Sequence, residues 1–187
     1  MAFTSLERII LLDTADLEFF SDILLLDDQF RNMTDEVIGV GQDLSPQYRA
    51  MLEQAGYITS HPDTVLGLPG RFQGLNMGVV LFMLEKMRKS KLYNSYLNTK
   101  MVSVLNRHYK YDMTLSYQDW FTNLQWSQPS LFCNLPCQLN TKTSVQYFRP
   151  PWEAKFESYH HCNNRSNPAH ARPSAQPPIA TSGNFPV

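Results

Sequence analysis

Short apolar runs alternate with stretches of helical periodicity along most of this chain. Three runs have the continuous apolar character of buried strands, namely residues 9–12, 37–40 and 79–82. Apolar residues at helical spacing follow the first run, where Ile23, Leu26 and Phe30 share one face of a predicted helix. The order strand, helix, strand, helix predicts an α/β fold.

Residues that favour helix ends set the bounds of the first two predicted helices. Ser21 and Asp22 can cap the helix that contains Leu26. Ser45-Pro46 is a strong helix start, with Ser as the cap and Pro at the first helical position. That helix is expected to end near Gly56, because glycine favours helix C-termini.

The second half of the chain is predicted to be mostly helical. Residues 56–74 are rich in Gly and Pro and are expected to form a loop long enough to border a site. Helices are predicted at residues 84–88, 92–97 and 101–109, and another begins near Ser116. A last strand over residues 131–139 contains Pro136, which predicts an edge position or a bend.

Two carboxylates, Asp13 and Asp16, follow the first predicted strand directly. Open α/β sheets bind ligands beyond the carboxyl ends of their strands, and oxygen ligands there suit Mg²⁺ or Mn²⁺ bridging a diphosphate. This pattern predicts a metal-nucleotide site. The alternative is that Asp13 begins a turn and Asp16 is a solvated loop residue, since short acidic motifs are common.

An asparagine flanked by glycines, in Gly74-Leu75-Asn76-Met77-Gly78, precedes the third apolar run. Glycine lets the backbone approach a ligand closely, and the Asn76 amide offers both a donor and an acceptor, which suits a sugar hydroxyl. The alternative is a turn asparagine.

Composition narrows the class of protein. The 187 residues, 43% of them hydrophobic, can bury the core of one domain. Sixteen basic and seventeen acidic side chains give a net charge of −1, so nucleic acid is not an expected partner. No apolar stretch approaches the roughly 20 residues of a membrane span, and no N-terminal signal segment is predicted.

Three cysteines and two glycosylation sequons complete the chemically distinctive positions. Cys133, Cys137 and Cys162 form neither a disulfide framework nor a zinc pattern, although one disulfide with one odd thiol would fit. The sequons at Asn32 and Asn164 hint at a secretory compartment, but such tripeptides often arise by chance.

Five short motifs, taken in order, resemble glycosyltransferase family 8, and most of all its xyloside xylosyltransferases. The motifs are Leu11-Leu12-Asp13-Thr14-Ala15-Asp16-Leu17-Glu18-Phe19, Gly41-Gln42-Asp43-Leu44-Ser45-Pro46-Gln47-Tyr48-Arg49, Gly74-Leu75-Asn76-Met77-Gly78, Gln118-Asp119-Trp120-Phe121 and Cys137-Gln138-Leu139-Asn140. The resemblance runs over residues 7–162, and the shared order of the motifs carries it.

The resemblance implies a GT-A fold, which is a Rossmann-like mixed sheet between helices. In that family a first nucleotide-binding strand and helix and a membrane anchor precede the metal motif, so the domain is expected to be incomplete at its N-terminal side. Residues 1–162 would then be the C-terminal two-thirds of the catalytic domain. Residues 163–187, dominated by Pro, Ser, Asn and Ala, are expected to form a disordered tail.

The implied activity is retaining transfer of α1,3-linked xylose from UDP-xylose, assisted by Mn²⁺. The implied acceptor is a xylose-terminated O-glycan on EGF repeats, such as those of Notch. The implied location is the lumenal side of the endoplasmic reticulum membrane, reached through an N-terminal anchor that this chain does not contain. No carboxylate is obviously placed as a nucleophile, so front-face attack by the acceptor hydroxyl is expected.

The resemblance also assigns a metal site and a disulfide. Asp13 and Asp16 match the family's Asp-x-Asp motif, and His170 stands at the spacing of its third metal ligand. Cys137 and Cys162 fall at family cysteine positions and are the implied disulfide.

Positions for the sugar and for the reaction are implied in the same way. Asn76, with Gly78, matches the donor-sugar site. Gln118 and Asp119 match the pair beside the reacting sugar, and Asn140 matches an active-site asparagine. Taken without the resemblance, an acidic residue in the first turn of a helix is favoured by the helix dipole alone.

One departure from the family pattern keeps other functions open. Ala15 lengthens Asp-x-Asp to Asp-x-x-Asp, and carboxylates three residues apart in an extended strand end do not point the same way. The alternatives are another family 8 enzyme, such as a glucoside xylosyltransferase, and a non-catalytic truncated form that binds a glycan or an EGF repeat.

Overall fold

A mixed sheet of four strands lies at the centre of the structure, a computed structural model that describes residues 5–13, 22–43, 47–68, 74–110, 117–136 and 139. The strands are β1 (Ile9–Leu12), β2 (Ile38–Gln42), β3 (Leu75–Phe82) and β4 (Phe132–Asn134), in the spatial order β1-β3-β2-β4. β3 is antiparallel to β1 and β2, whereas β4 is parallel to β2. Consequently the C-terminal ends of β1, β2 and β4 lie at the same end of the sheet as the first residues of β3.

The first predicted strand is confirmed as a strand, but its predicted burial is wrong. β1 lies at an outer position of the sheet, and Leu11 is 43% exposed. Ile10 and Leu12 pack against the core, while Leu11 points to the other side. A short apolar run does not reveal how many neighbours a strand will have. β4 occupies the opposite edge, which is one of the two outcomes predicted for the last strand. The predicted bounds of 131–139 are wrong, because β4 ends at Asn134, before Pro136.

Seven α-helices are described: α1 (Leu24–Asp28), α2 (Gln47–Gln54), α3 (Tyr57–Ser60), α4 (Leu84–Lys89), α5 (Lys91–Tyr96), α6 (Thr99–Tyr109) and α7 (Tyr117–Ser127). Short 3₁₀ helices cover Gln29–Asn32 and Pro129–Leu131. The prediction missed only α3, which begins after Gly56 inside the segment taken for a loop. Within the described part of the chain, no helix has the length and apolar character needed to cross a membrane.

The start of α1 differs in detail from the prediction. The Asp22 carboxylate accepts a 2.9 Å hydrogen bond from the Leu24 backbone N–H, so Asp22 does support the helix start. Ile23 is 44% exposed and does not share the buried face of Leu26 and Phe30. The other predicted caps, Ser21, Ser45-Pro46 and Ser116, lie outside the described residues.

Helices cover both faces of the sheet. On one face α2, α5, α6 and α7 contribute completely buried side chains, among them Tyr48, Tyr96, Leu105 and Leu124. On the other face Leu26 and Phe30, from α1 and the 3₁₀ helix that follows it, pack against Val79 and Leu81 of β3. The chain therefore forms three layers, helix, sheet and helix.

β3 carries a bulge close to its start. Val80 pairs with Val40, but Asn76 pairs with the next residue of β2, Gly41, so residues 77–79 have no partner on β2. Asn76 Oδ1 accepts a 3.1 Å hydrogen bond from the Gly78 backbone N–H, which bridges the bulge. β3 begins at Leu75 rather than at residue 79, because Leu75 and Asn76, which precede the apolar run, already pair with β2.

Candidate functional site

Polar residues follow β1 and β2 at the end of the sheet where β3 begins. The Asp13 backbone N–H donates to the Gly78 carbonyl over 2.9 Å, and the Asp43 N–H donates to the Gly74 carbonyl over 2.9 Å. The two aspartates thus flank the first residues of β3, with Asn76 between their two attachment points. Asp13 is exposed, whereas Asp43 is 0% exposed. Asp13 and Asp43 thus lie beyond the carboxyl ends of strands, where open α/β sheets bind ligands.

Gly74 allows α2 to come close to the start of β3. Its φ is +130°, a conformation that L side chains rarely adopt, and a Cβ atom there would overlap the ring of Tyr48. Glycine is therefore needed at this position both for the backbone conformation and for space. The contact places the Tyr48 ring directly beside β3.

Four side chains, from Tyr48, Gln118, Asp119 and Thr122, form a hydrogen-bonded group that we term the Tyr48 cluster. The Tyr48 hydroxyl donates to Asp119 Oδ1 over 2.8 Å and accepts from Gln118 Nε2 over 3.4 Å. The Thr122 hydroxyl is a neighbour of the Tyr48 hydroxyl that lowers its pKa, and Thr122 Oγ1 accepts from the Leu75 backbone N–H over 3.1 Å. The cluster therefore joins α2, the first two turns of α7 and the first residue of β3.

The cluster is shielded from water on most of its surface. Tyr48, Asp119 and Thr122 are each 0% exposed, whereas Gln118 is partly exposed. Burial raises the pKa of the Tyr48 hydroxyl well above its usual range, and the neighbouring Asp119 raises the pKa further. A tyrosine hydroxyl is protonated at neutral pH, and this one donates to Asp119. The position of Asp119 in the first turn of α7 is favoured by the helix dipole.

Arg49, the residue after Tyr48, attaches a second segment to α2. Its Nη1 donates to the carbonyl oxygens of Leu66, over 2.9 Å, and Thr64, over 3.3 Å. Gly67, with φ of +75°, lies so close that a Cβ atom would be 2.8 Å from Arg49 Cα. Consecutive residues of α2 thus hold residues 64–67 on one side and the start of β3 on the other.

The predicted metal site is described only in part. Asp13 lies at the sheet edge, and its exposed carboxylate has the hard oxygen chemistry that suits Mn²⁺. Asp16 and His170 lie outside the described residues. Among the described residues, no three His, Cys, Asp or Glu side chains are grouped so that they could hold a metal ion. The described part therefore fits the role of one ligand and does not supply a complete set.

The remaining predicted site residues fall into two groups. Asn76 and Gly78 lie in the bulge of β3, where the Asn76 side chain accepts a hydrogen bond from the Gly78 backbone N–H. Gln118 and Asp119 lie in the Tyr48 cluster, next to the same end of the sheet. Asp13 is thus attached to Gly78, and the helix turn that carries Gln118 and Asp119 is attached to Leu75, so both lie at the end of β3 that carries Asn76. Asn140 lies outside the described residues.

The cysteine and glycosylation predictions are tested little by this structure. Cys137, Cys162 and Asn164 lie outside the described residues. Cys133, on β4, is a free thiol whose pKa is raised by burial and by Glu36. Asn32 is exposed at the end of its 3₁₀ helix, and its Nδ2 donates to Gln29 Oε1 over 3.1 Å.

Sequence reasoning missed Tyr48 and Thr122. Tyr48 is separated from Asp119 by 71 residues, so no local spacing relates the two. The only signal was the place of Tyr48 within the motif that begins at Gly41. Thr122 lies one turn after Gln118 and Asp119, on a helix whose start had been predicted.

Comparison with known proteins finds related sequences for most of the chain. Over 158 residues the chain is 33% identical to mouse xyloside xylosyltransferase 1, and it is 32% identical to the human protein of that name. Each alignment covers 83% of this chain. It covers 40% of the mouse protein and 39% of the human protein, so the chain spans about two fifths of these curated relatives. No family model matches.

A more distant relative and a solved structure agree with this result. The chain is 30% identical over 145 residues to chicken xylosyl- and glucuronyltransferase LARGE1, which covers 75% of this chain and 17% of that protein. The crystal structure of mouse xyloside xylosyltransferase 1, in its apo form, superposes with a TM-score of 0.66 at 35% identity. That match covers 72% of this chain and 46% of the solved one, and the α/β architecture is shared.

Proposed function

This chain is a homologue of the xyloside xylosyltransferases with their GT-A-like α/β fold, and we propose that it acts as a glycosyltransferase that transfers xylose to a glycan. The proposal rests on the observation that motifs far apart in the sequence lie at the same end of the sheet. Asp13, Asn76 and the pair Gln118-Asp119 are spread over more than half of the chain, yet all lie at one end of the sheet. Open α/β sheets bind nucleotide ligands beyond the carboxyl ends of their strands, and β1 and β2 end here.

We propose UDP-xylose as the donor and Mn²⁺ as the cofactor. Asp13, Asp16 and His170 would hold the ion, which when bound would act as a Lewis acid and template for the diphosphate leaving group. The exposed carboxylate of Asp13 directly after β1 supports this assignment. Carboxylate oxygens and a neutral imidazole together form a donor set that Mn²⁺ accepts.

The sugar would be oriented by amide side chains at the start of β3 and α7. Gln118 is the partly exposed member of its pair, so its amide can reach a xylose hydroxyl, whereas Asp119 is completely buried beside it. Asn76 would contribute a second amide, and the Gly78 backbone leaves room for the sugar because it carries no side chain. We assign Asn140 to the same site from its place in the fifth motif. Retention would follow from front-face attack by the acceptor hydroxyl.

The acceptor and the compartment complete the proposal. We propose a xylose-terminated O-glycan on an EGF repeat as acceptor and the lumen of the endoplasmic reticulum as the location. The names of the two mammalian relatives describe transfer to a xyloside, which supports the acceptor class. An exposed sequon at Asn32 is consistent with a secretory compartment.

The proposal is tested by calorimetric binding of UDP-xylose to the purified chain, with and without Mn²⁺, followed by transfer to a xyloside. We expect Mn²⁺-dependent binding that Asp13→Asn abolishes. Asp63→Asn, which alters an exposed carboxylate in the loop after α3, is the matched control and should bind as the unchanged chain does. A panel of UDP-sugars would identify another donor. No binding by a chain shown to be folded would contradict the proposal.

A second candidate, glycan binding without transfer, is favoured by one feature of the sequence. Ala15 adds a residue between the two aspartates of the metal motif. Because side chains alternate along an extended chain, this addition changes the relative direction of the carboxylates. Binding of an EGF-repeat glycopeptide without hydrolysis of any UDP-sugar would support this candidate.

A further inference from the structure

We propose that Tyr48 is a positioning residue whose hydroxyl sets the places of the Gln118 and Asp119 side chains. The consequence for catalysis rests on the proposed function, whereas the positioning itself rests on contacts within the described structure. No motif assigned this role to Tyr48, which contributes no atom to the exposed surface of the site.

The Tyr48 hydroxyl bonds both members of the Gln118-Asp119 pair. A phenol has one proton to donate and two lone pairs. The proton is directed to Asp119 Oδ1 at 2.8 Å, and the oxygen accepts from Gln118 Nε2 at 3.4 Å. Gln118 and Asp119 are adjacent in sequence, so one oxygen atom restrains two consecutive side chains.

The ring of Tyr48 is itself held in place. It is completely buried, and its edge-to-face contact with Trp126 has a centroid separation of 5.7 Å and an interplanar angle of 85°. Gly74 packs on the ring where any larger residue would overlap it. The hydroxyl of a ring enclosed in this way has little room to move, and a tyrosine hydroxyl is protonated at neutral pH and can donate.

The Tyr48 ring, through Gly74, and Thr122 join the helix pair to the strand that carries Asn76. Thr122 Oγ1 accepts the Leu75 backbone N–H, and Leu75 precedes Asn76. Displacement of Tyr48 would therefore disturb the amide on α7 and the backbone of β3 together. A small misplacement of orienting groups can reduce a rate by about a hundredfold, so loss of the Tyr48 hydroxyl is expected to matter.

Tyr109 provides a matched control for loss of a buried tyrosine hydroxyl. Its ring also makes an edge contact with Trp126, with centroids 5.0 Å apart. Its hydroxyl lies 3.1 Å from Ser127 Oγ, at the last residue of α7. Tyr109→Phe therefore removes a similar bond from the same helix, far from Gln118 and Asp119.

The experiment compares Tyr48→Phe and Tyr109→Phe in the whole chain. Both variants are first shown to be folded by circular dichroism. We then measure kcat and KM for UDP-xylose, and we record the side-chain amide signals of Gln118 by NMR, assigned through their loss in Gln118→Ala. For Tyr48→Phe we expect a fall in kcat of about tenfold with KM changed less than about twofold, and shifted Gln118 signals. For Tyr109→Phe we expect both readouts to stay close to those of the unchanged chain.

The two readouts separate failure of the inference from failure of the proposed function. If the unchanged chain shows no activity, the proposed function fails, and the Gln118 amide signals alone decide whether Tyr48 positions the pair. Unmoved signals in Tyr48→Phe would overturn the inference, as would equal losses of kcat in both variants. If Tyr48→Phe does not fold, the unchanged chain is used: a nuclear Overhauser contact between the Tyr48 ring and the Gln118 side-chain amide is expected, and its absence would overturn the inference.

Discussion

The Tyr48 hydroxyl donates a 2.8 Å hydrogen bond to the Asp119 carboxylate across 71 residues of sequence. This bond fastens the start of α7 to α2, and the contact of Tyr48 with Gly74 fastens both helices to the start of β3. The stability of this end of the sheet should therefore depend on a few residues around the Tyr48 ring.

Substitution at Gly74 tests the close approach of the Tyr48 ring to β3. Gly74→Ala is expected to lower the free energy of unfolding by about 2–5 kcal/mol, because overpacking adds to backbone strain at a φ of +130°. Gly56→Ala is the matched control. Gly56 also has a positive φ, +71°, but nothing lies within 4 Å of its Cβ position, so a loss of about 1–2 kcal/mol is expected. Urea unfolding measures both, and equal losses would contradict the packing argument.

Thr122→Val tests the bond between α7 and the first residue of β3. The substitution keeps the shape of the side chain but leaves the buried Leu75 N–H without its acceptor. We expect the free energy of unfolding to fall by about 1–3 kcal/mol. Thr59→Val, at an exposed position of α3, should change it by less than about 0.5 kcal/mol. Denaturant titration is again the measurement, and an unchanged midpoint for Thr122→Val would refute the role of this bond.

Alkaline pH should weaken the fold through its buried tyrosines. Burial raises the folded-state pKa of Tyr48 and Tyr109 above the ordinary value of about 10. Above that pH the unfolded chain loses these protons and the folded chain keeps them, so stability is complete below pH 10 and falls as the pH rises. The fall is about 1.4 kcal/mol per pH unit for each such tyrosine.

Urea unfolding at several pH values between 8 and 11 measures this slope. In Tyr109→Phe the free energy of unfolding should fall less steeply above pH 10, by up to about 1.4 kcal/mol per pH unit, because one buried tyrosine is missing. The slope between pH 8 and 9, where neither the folded nor the unfolded chain loses these protons, is the internal control and should be the same in Tyr109→Phe and in the unchanged chain. A slope that Tyr109→Phe does not change would show that burial of this hydroxyl is unimportant.

Asn32 should carry an N-glycan if the chain is made in the secretory pathway. The side chain is exposed, and the following Met33 is 3% exposed and anchors the sequon to the body of the protein. Expression with a secretory leader should give a gel band that shifts on enzymatic deglycosylation. Asn32→Gln should remove that part of the shift, while Asn164→Gln reports separately on the second sequon. An identical shift in Asn32→Gln would show that this site is not used.

The local elements were largely predictable from the sequence. The apolar run at residues 9–12 became β1, and helical spacing located α5 and α6, because side-chain periodicity follows directly from backbone geometry. The α3 helix was missed because four residues are too few to show a period. The exposure of Leu11 was missed because burial depends on neighbouring strands and not on the strand's own sequence.

The candidate site was predictable as a set of residues but not as an arrangement. The sequence by itself determined the elements, the α/β class and the resemblance that singled out Asp13, Asn76 and Gln118-Asp119. Only the tertiary structure decided that β1 lies at an edge, that a bulge offsets Asn76 from the rest of β3, and that Tyr48 holds Asp119. The physical reason is that hydrogen bonds and packing across the sheet join residues tens of positions apart, and no local pattern in the chain records those distances.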